Sequence, residues 1–152
     1  MLDVLQHDGR RTITDLAADV GLSATPCTRR FDRLMRTGVI GAIVARLDRR
    51  KLGLEVEVFV QVRLASHADD TPDKFIAMVG RLEEVVACWS LTGDFDFMLQ
   101  VVVANVDALN DFIGGTLLKF EGIRDVRTNL VLKNHKGPAR LPLGHLQAET
   151  VP

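Results

Sequence analysis

With only two cysteines in 152 residues, the chain lacks the means for a disulfide framework. Neither cysteine has a Cys or His neighbour at a zinc-binding spacing. Cys27 and Cys88 are expected as buried free thiols, one in a helix core and one in a strand, as suits a reducing compartment. The N-terminus has no basic segment leading into an apolar one, and no apolar run reaches about 18 residues. Neither a signal peptide nor a membrane span is therefore expected, and the expected location is the cytoplasm. No phosphate-binding loop and no nucleophile motif occurs. His7, His67, His135 and His145 are scattered, with no partner at catalytic or ligand spacing. Catalytic residues, metals and cofactors are accordingly not assigned. Internal repeats and low-complexity segments are also missing. A net charge of −1 gives the molecule as a whole no attraction for a polyanion.

What is present is an asymmetry. Residues 1–52 hold ten Arg/Lys against six Asp, a net of +4, and residues 53–152 hold nine Arg/Lys against fourteen Asp/Glu, a net of −5. That division suggests a basic module for nucleic acid followed by an acidic module with another task. At 47% hydrophobic and 26% charged residues, the chain can bury a core and carry one ordinary domain or two small ones.

Within the basic part, Ile13 to Ile40 holds two short helical patterns around Gly21. Leu16, Ala17 and Val20 recur at helical spacing. Gly21 supplies a residue free to take positive φ. Ser23 or Thr25 can cap the next helix, with Pro26 in its first turn. At about 100° per residue, Cys27, Phe31, Leu34 and Met35 share one side of that helix, and Thr25, Thr28, Arg29, Arg33 and Arg36 share the other. One buried stripe and one cationic stripe behind a glycine turn is the layout of a helix-turn-helix. The guanidinium groups can pair with phosphates or fork onto guanine edges. A solvated face on an ordinary helix would read the same way residue by residue. Leu2 to Gln6 reads as the end of a short first helix. Beyond Thr37-Gly38, Val39 to Leu47 alternates loosely with a turn at Gly41, which predicts a small β-hairpin or wing. Arg46, Arg49, Arg50 and Lys51 then lie close enough to touch a phosphate backbone.

From Val56 the period changes to two. Val56, Val58, Val60 and Val62 alternate with Glu57, Phe59, Gln61 and Arg63, a strand. After a polar loop over 66–70, Thr71-Pro72-Asp73 starts a helix whose buried stripe is Phe75, Val79 and Leu82. Glu84 to Leu91 is a second strand, Thr92-Gly93-Asp94 a turn, and Phe95 to Val103 a third strand. Asn105 caps a second helix with Leu109, Phe112, Ile113, Leu117 and Phe120 on one face, broken at Gly122. Ile123 to Leu132 is a fourth strand. The order βαββαβ is the ferredoxin-like arrangement, with both helices on one sheet face and the other left apolar in places. The expected organisation is α+β: a (winged) helix-turn-helix over 1–46, a linker over 47–55, a ferredoxin-like domain over 56–135 and an irregular tail over 136–152.

In this order the chain resembles the Lrp/AsnC transcriptional regulators, also called feast/famine regulators. The local matches are DGR at Asp8 to Arg10, the LA…VGLS…TPC run from Leu16 to Cys27, GDFDF from Gly93 to Phe97, and RTNLVL from Arg127 to Leu132. The resemblance covers roughly residues 2–135. It implies a regulator of double-stranded DNA that forms homo-oligomers, dimers and then octamers or discs, whose sheets pack across the dimer. It also implies a small effector, usually an amino acid, bound between subunits near the GDFD turn.

The candidate DNA contacts are thus Ser23, Thr25, Thr28, Arg29, Arg33 and Arg36. Thr25, Thr28, Arg29 and Arg33 would read base edges while Arg36 and nearby arginines hold phosphates. Carried over from the family motif, Gly93, Asp94 and Asp96 are candidate effector contacts, though Gly93 and Asp94 would suit any hairpin turn. Free turn amides suit a carboxylate and side-chain carboxylates suit an ammonium. Thr128 could complete the pocket from a neighbouring subunit. Trp89, Leu91 and Met98 could line a side-chain pocket, although core packing accounts for them equally. Two competing functions remain: a tetrapyrrole (siroheme) decarboxylase-like enzyme on the same scaffold, and a metabolite-sensing oligomer without DNA binding. The arginine stripe, and the lack of histidine on the predicted sheet, weigh against the enzyme.

Overall fold

The computed structural model describes residues 1–66, 70–137 and 140–148. His67 and the middle of the loop expected over 66–70, like tail residues 138–139 and 149–152, lie outside that set. The helices are α1 (Leu2–His7), α2 (Ile13–Asp19), α3 (Ala24–Arg36), α4 (Thr71–Val79), α5 (Val106–Gly115) and α6 (His145–Ala148). The strands are β1 (Val56–Leu64), β2 (Val85–Ser90), β3 (Phe97–Val103) and β4 (Ile123–Leu130). The chain divides into two compact units, Met1–Arg46 with His135–Pro152, and Leu47–Asn134.

In the first unit, local chemistry sets each helix end. The Thr12 hydroxyl accepts from the Asp15 amide at 3.2 Å and donates to the Asp15 carboxylate at 2.8 Å, closing the start of α2. Its other end is a left-handed glycine stop. Gly21 sits at φ 66°, its N–H donates to Ala18 O, and the Leu22 N–H donates to Ala17 O at 2.9 Å. That turn delivers the chain into α3 and packs Cys27 against Leu16 and Ala17, the buried centre of the unit. Phe31, Leu22, Val4 and Leu5 pack around it. The tail lies on α1: the Leu141 N–H donates to Gln6 Oε1 at 2.7 Å, and Arg140 bonds to the His7 ring.

The expected wing is not formed. Val39 to Leu47 contains no strand among the described residues. Gly41 is not among the glycines with positive φ, so the tight reversal a two-residue hairpin needs is absent. Alternation alone does not supply a partner strand.

The second unit is one antiparallel sheet in the order β2-β3-β1-β4. Val58, Val60 and Val62 of β1 and Leu99 and Val101 of β3 are fully buried. With Phe75 and Val79 of α4 and Phe112 of α5 they form a single cluster. Phe75 stacks on Phe97 with centroids 4.8 Å apart and meets Phe120 edge-on at 5.6 Å. Three features differ from expectation. Strands β2, β3 and β4 are shorter than expected at one or both ends. Helix α5 stops at Gly115 rather than near Gly122, because two successive glycines weaken a helix, and Leu117–Lys119 continues as one 3-10 turn. Cys88 is exposed rather than buried, since β2 is an edge strand; partial burial still pushes its thiol pKa upward.

Candidate nucleic-acid interface and ligand turn

Helix α3 presents Arg29, Arg30, Arg33 and Arg36 to solvent. Together with Leu22 and Pro26 they line a shallow groove of ≈ 460 Å³. None of the four makes an ion pair among the described residues. Nearby Arg11, by contrast, is held 3.2 Å from Asp19. Four uncompensated guanidiniums on one helix repel each other and gain by meeting phosphates or base edges. Thr25 and Thr28 are exposed on the same helix. The Thr28 hydroxyl donates to Ala24 O at 3.0 Å, leaving its lone pairs available. Ser23 is the N-cap residue, and its side chain makes no capping bond. Arg30 was not among the candidates, yet it lies in the groove; its signal is the Arg30-Arg33-Arg36 spacing, which puts neighbours three apart on one face.

Arg49 turns away from any such surface. Its guanidinium donates to Leu54 O and Glu55 O, both at 2.8 Å, and pairs with the Glu57 carboxylate at 3.1 Å. Gln100 Nε2 donates to the same carboxylate at 2.6 Å. This arrangement satisfies Glu57, the one acid buried among the described residues, and removes Arg49 from the arginines expected to meet a phosphate backbone.

The Gly93 turn joins β2 to β3, with Gly93 at φ 113°, a conformation that L side chains rarely adopt. Asp96 ties it down. Its N–H donates to Val62 O at 2.9 Å, its carbonyl accepts from Leu91 N–H at 2.8 Å, and its carboxylate accepts from Leu64 N–H at 2.7 Å. That last bond meets the register shift at Arg63/Leu64. The Asp94 carboxylate is 93% exposed and lies 3.8 Å from Arg63, whose Nε donates to Asp94 O. The guanidinium carbons of Arg63 and Arg127 lie 5.2 and 5.1 Å from the centroid of the Phe95 ring. One row crosses the sheet on the face away from the helices: Trp89 opposite Met98, Met98 opposite Gln61, Gln61 opposite Arg127. Leu91 is half-buried beside the turn. Thr128 pairs with Val60, so it belongs to the helix-covered side and the single chain does not bring it to Trp89 and Met98. Among the described residues no group of three or more metal-ligating side chains forms, and no helix is long and apolar enough to cross a membrane.

A helix-turn-helix with unpaired arginines, followed in one chain by a βαββαβ sheet unit, defines a DNA-binding transcriptional regulator. Residues 1–35 match the AsnC-type helix-turn-helix domain and residues 57–141 match the Lrp/AsnC ligand binding domain. The chain is 39% identical over 141 residues to the leucine-responsive regulatory protein of Salmonella typhimurium, covering 93% of this chain and 86% of that protein. Its fold superposes with a TM-score of 0.90 on a transcriptional regulator of Neisseria meningitidis solved with L-Met, at 36% identity over 95% of this chain and 94% of the other. An AsnC family transcriptional regulator from Agrobacterium tumefaciens gives 0.87 at 39% identity, over 95% and 94%. The chain belongs to the Lrp/AsnC family of DNA-binding transcriptional regulators. Its relatives are named as regulators, and the decarboxylase alternative finds no support among them.

Proposed function

We propose that α3 enters the major groove, with Thr25, Thr28, Arg29 and Arg33 toward base edges and Ser23, Arg30 and Arg36 toward phosphates. The observation that carries this reading is the set of four arginines around one groove with no carboxylate partner among the described residues. A second copy of the chain covers the open sheet face, where Phe59, Met98 and Val102 are half-exposed and Trp89 is 46% exposed. Dimers built this way present two reading helices, and further assembly gives an octamer. An amino acid is the effector, bound at the Gly93 turn with Asp94 toward its ammonium; the meningococcal neighbour was solved with L-Met. Gly93, Asp96, Trp89, Leu91 and Met98 shape that site, and Thr128 joins it only from another subunit.

The test is a gel shift on the promoter region of the protein's own gene. Arg29→Ala with Arg33→Ala removes two contacts worth about 1–3 kcal/mol each, so affinity falls by on the order of a hundredfold or more. Binding of the wild type weakens steeply with salt as counterions are released. Unchanged affinity in the double variant would count against α3 as the reading helix.

A further inference from the structure

We infer that Arg127 is the anchor for the effector's carboxylate, an assignment that rests on the effector reading above and makes it specific. The flanks of the Gly93 turn offer little to a carboxylate. Three amides on its flanks, Leu91, Asp96 and Leu64, already donate within the protein, and the Asp96 carboxylate is engaged by one of them. Of the acids in the motif, Asp94 is left facing solvent. It supplies an acceptor for an ammonium and nothing for a carboxylate.

The missing cation is close by. Arg63 is partly answered by Asp94. Arg127 is exposed and makes no ion pair among the described residues. The Phe95 ring beneath both arginines is only 7% exposed, so it is a fixed platform, and it holds the Arg127 guanidinium 5.1 Å from its centroid. Ring contact fixes where the guanidinium lies but satisfies few of its five N–H donors. The two guanidiniums can be no further apart than their two distances to that centroid laid end to end. A cation with an open fork and an exposed carboxylate thus share one platform, Arg127 directly on the Phe95 ring and Asp94 through Arg63, and an α-amino acid zwitterion carries the complementary pair of charges. Gln61 separates Arg127 from Met98, and Trp89 lies one strand beyond. An effector held by Arg127 that extends along this row passes Gln61 and meets Met98, which favours amino acids with apolar side chains.

Calorimetry and thermal shift on the full chain test this with L-methionine, the other nineteen amino acids, and the carboxamide of whichever one binds. Arg127→Gln is expected to weaken the amino acid by tenfold to a hundredfold, the range for a charge-assisted pair. Arg127→Lys, which keeps the charge but loses the fork, falls between. The carboxamide binds the wild type weakly and Arg127→Gln no worse. Arg81→Gln, in the turn that follows α4, leaves affinity unchanged. Equal affinity of wild type and Arg127→Gln for the amino acid overturns the assignment while the effector reading stands. So does a carboxamide that binds the wild type as tightly as the acid, which decides the matter even if Arg127→Gln fails to fold. Should none of the twenty bind the wild type, the effector reading itself falls, and the anchor with it.

Discussion

The two units are held together by different means. The sheet unit closes on twelve buried apolar residues drawn from two strands, two helices and a 3-10 turn, so packing dominates it. The helix-turn-helix unit closes on Leu16, Ala17 and Cys27 alone. An apolar hollow of ≈ 660 Å³ stays open between α1, residues 39–43 and residues 141–146. With so little buried, the Thr12 cap and the Gly21 stop carry a larger share of its stability. The comparison teaches that the DNA-facing part is the low-stability end of the molecule and the sheet unit its stable base.

The sharpest way to break that comparison is to remove one buried leucine from each side. Leu16→Ala and Leu99→Ala each cost about 2–5 kcal/mol. In the thin unit that exceeds the available margin, so Leu16→Ala is expected to abolish DNA binding and amide protection in α2 and α3. The sheet unit should keep its own protection. Leu99→Ala should lower the melting temperature of the sheet unit yet leave it folded. Hydrogen exchange followed unit by unit decides, and one shared transition in both variants would refute the division. A smaller change sharpens it: Thr12→Ala costs about 1 kcal/mol, visible as faster exchange in α2 with none in β1 or β3. The smallest effect is at the surface of the sheet unit. Lys74 donates to the exposed Asp70 carboxylate at 2.7 Å and holds its pKa below the ordinary 3.8. Because the folded value is depressed, the contribution is present above the ordinary value and is lost as pH falls through the folded one. Asp70→Asn should therefore be slightly less stable near neutral pH, indistinguishable in strong acid, and closer to the wild type at high salt.

Much of this architecture could be read from residue types. The valine alternation of β1 became a fully buried stripe because one face of the sheet meets α4 and α5. Thr71-Pro72-Asp73 began a helix where capping chemistry said it would. Gly21 ended α2 with the left-handed turn only glycine adopts freely. What stayed hidden depended on neighbours distant in the chain. Arg49 looked like one more basic linker residue until β1 placed Glu57 beside it. Cys88 looked like core because a strand pattern does not reveal that its strand lies at an edge. Thr128 pairs with Val60 on the helix side of its own chain, a position that strand parity sets once the register is known. Arg30 was legible in principle from its spacing to Arg33 and Arg36. The hairpin expected over Val39 to Leu47 failed because alternation describes a strand's faces and says nothing of what pairs with it.

The bonds that Asp96 makes on either side of the Gly93 turn have a consequence for whatever docks there. A loop that must be frozen by its guest gives up part of the binding energy to ordering. This one is already stitched to the C-terminal end of β1 and to Leu91 when the chain folds, so the effector proposed for it would meet a finished surface. On that proposal the turn would spend little of a small ligand's binding energy on ordering.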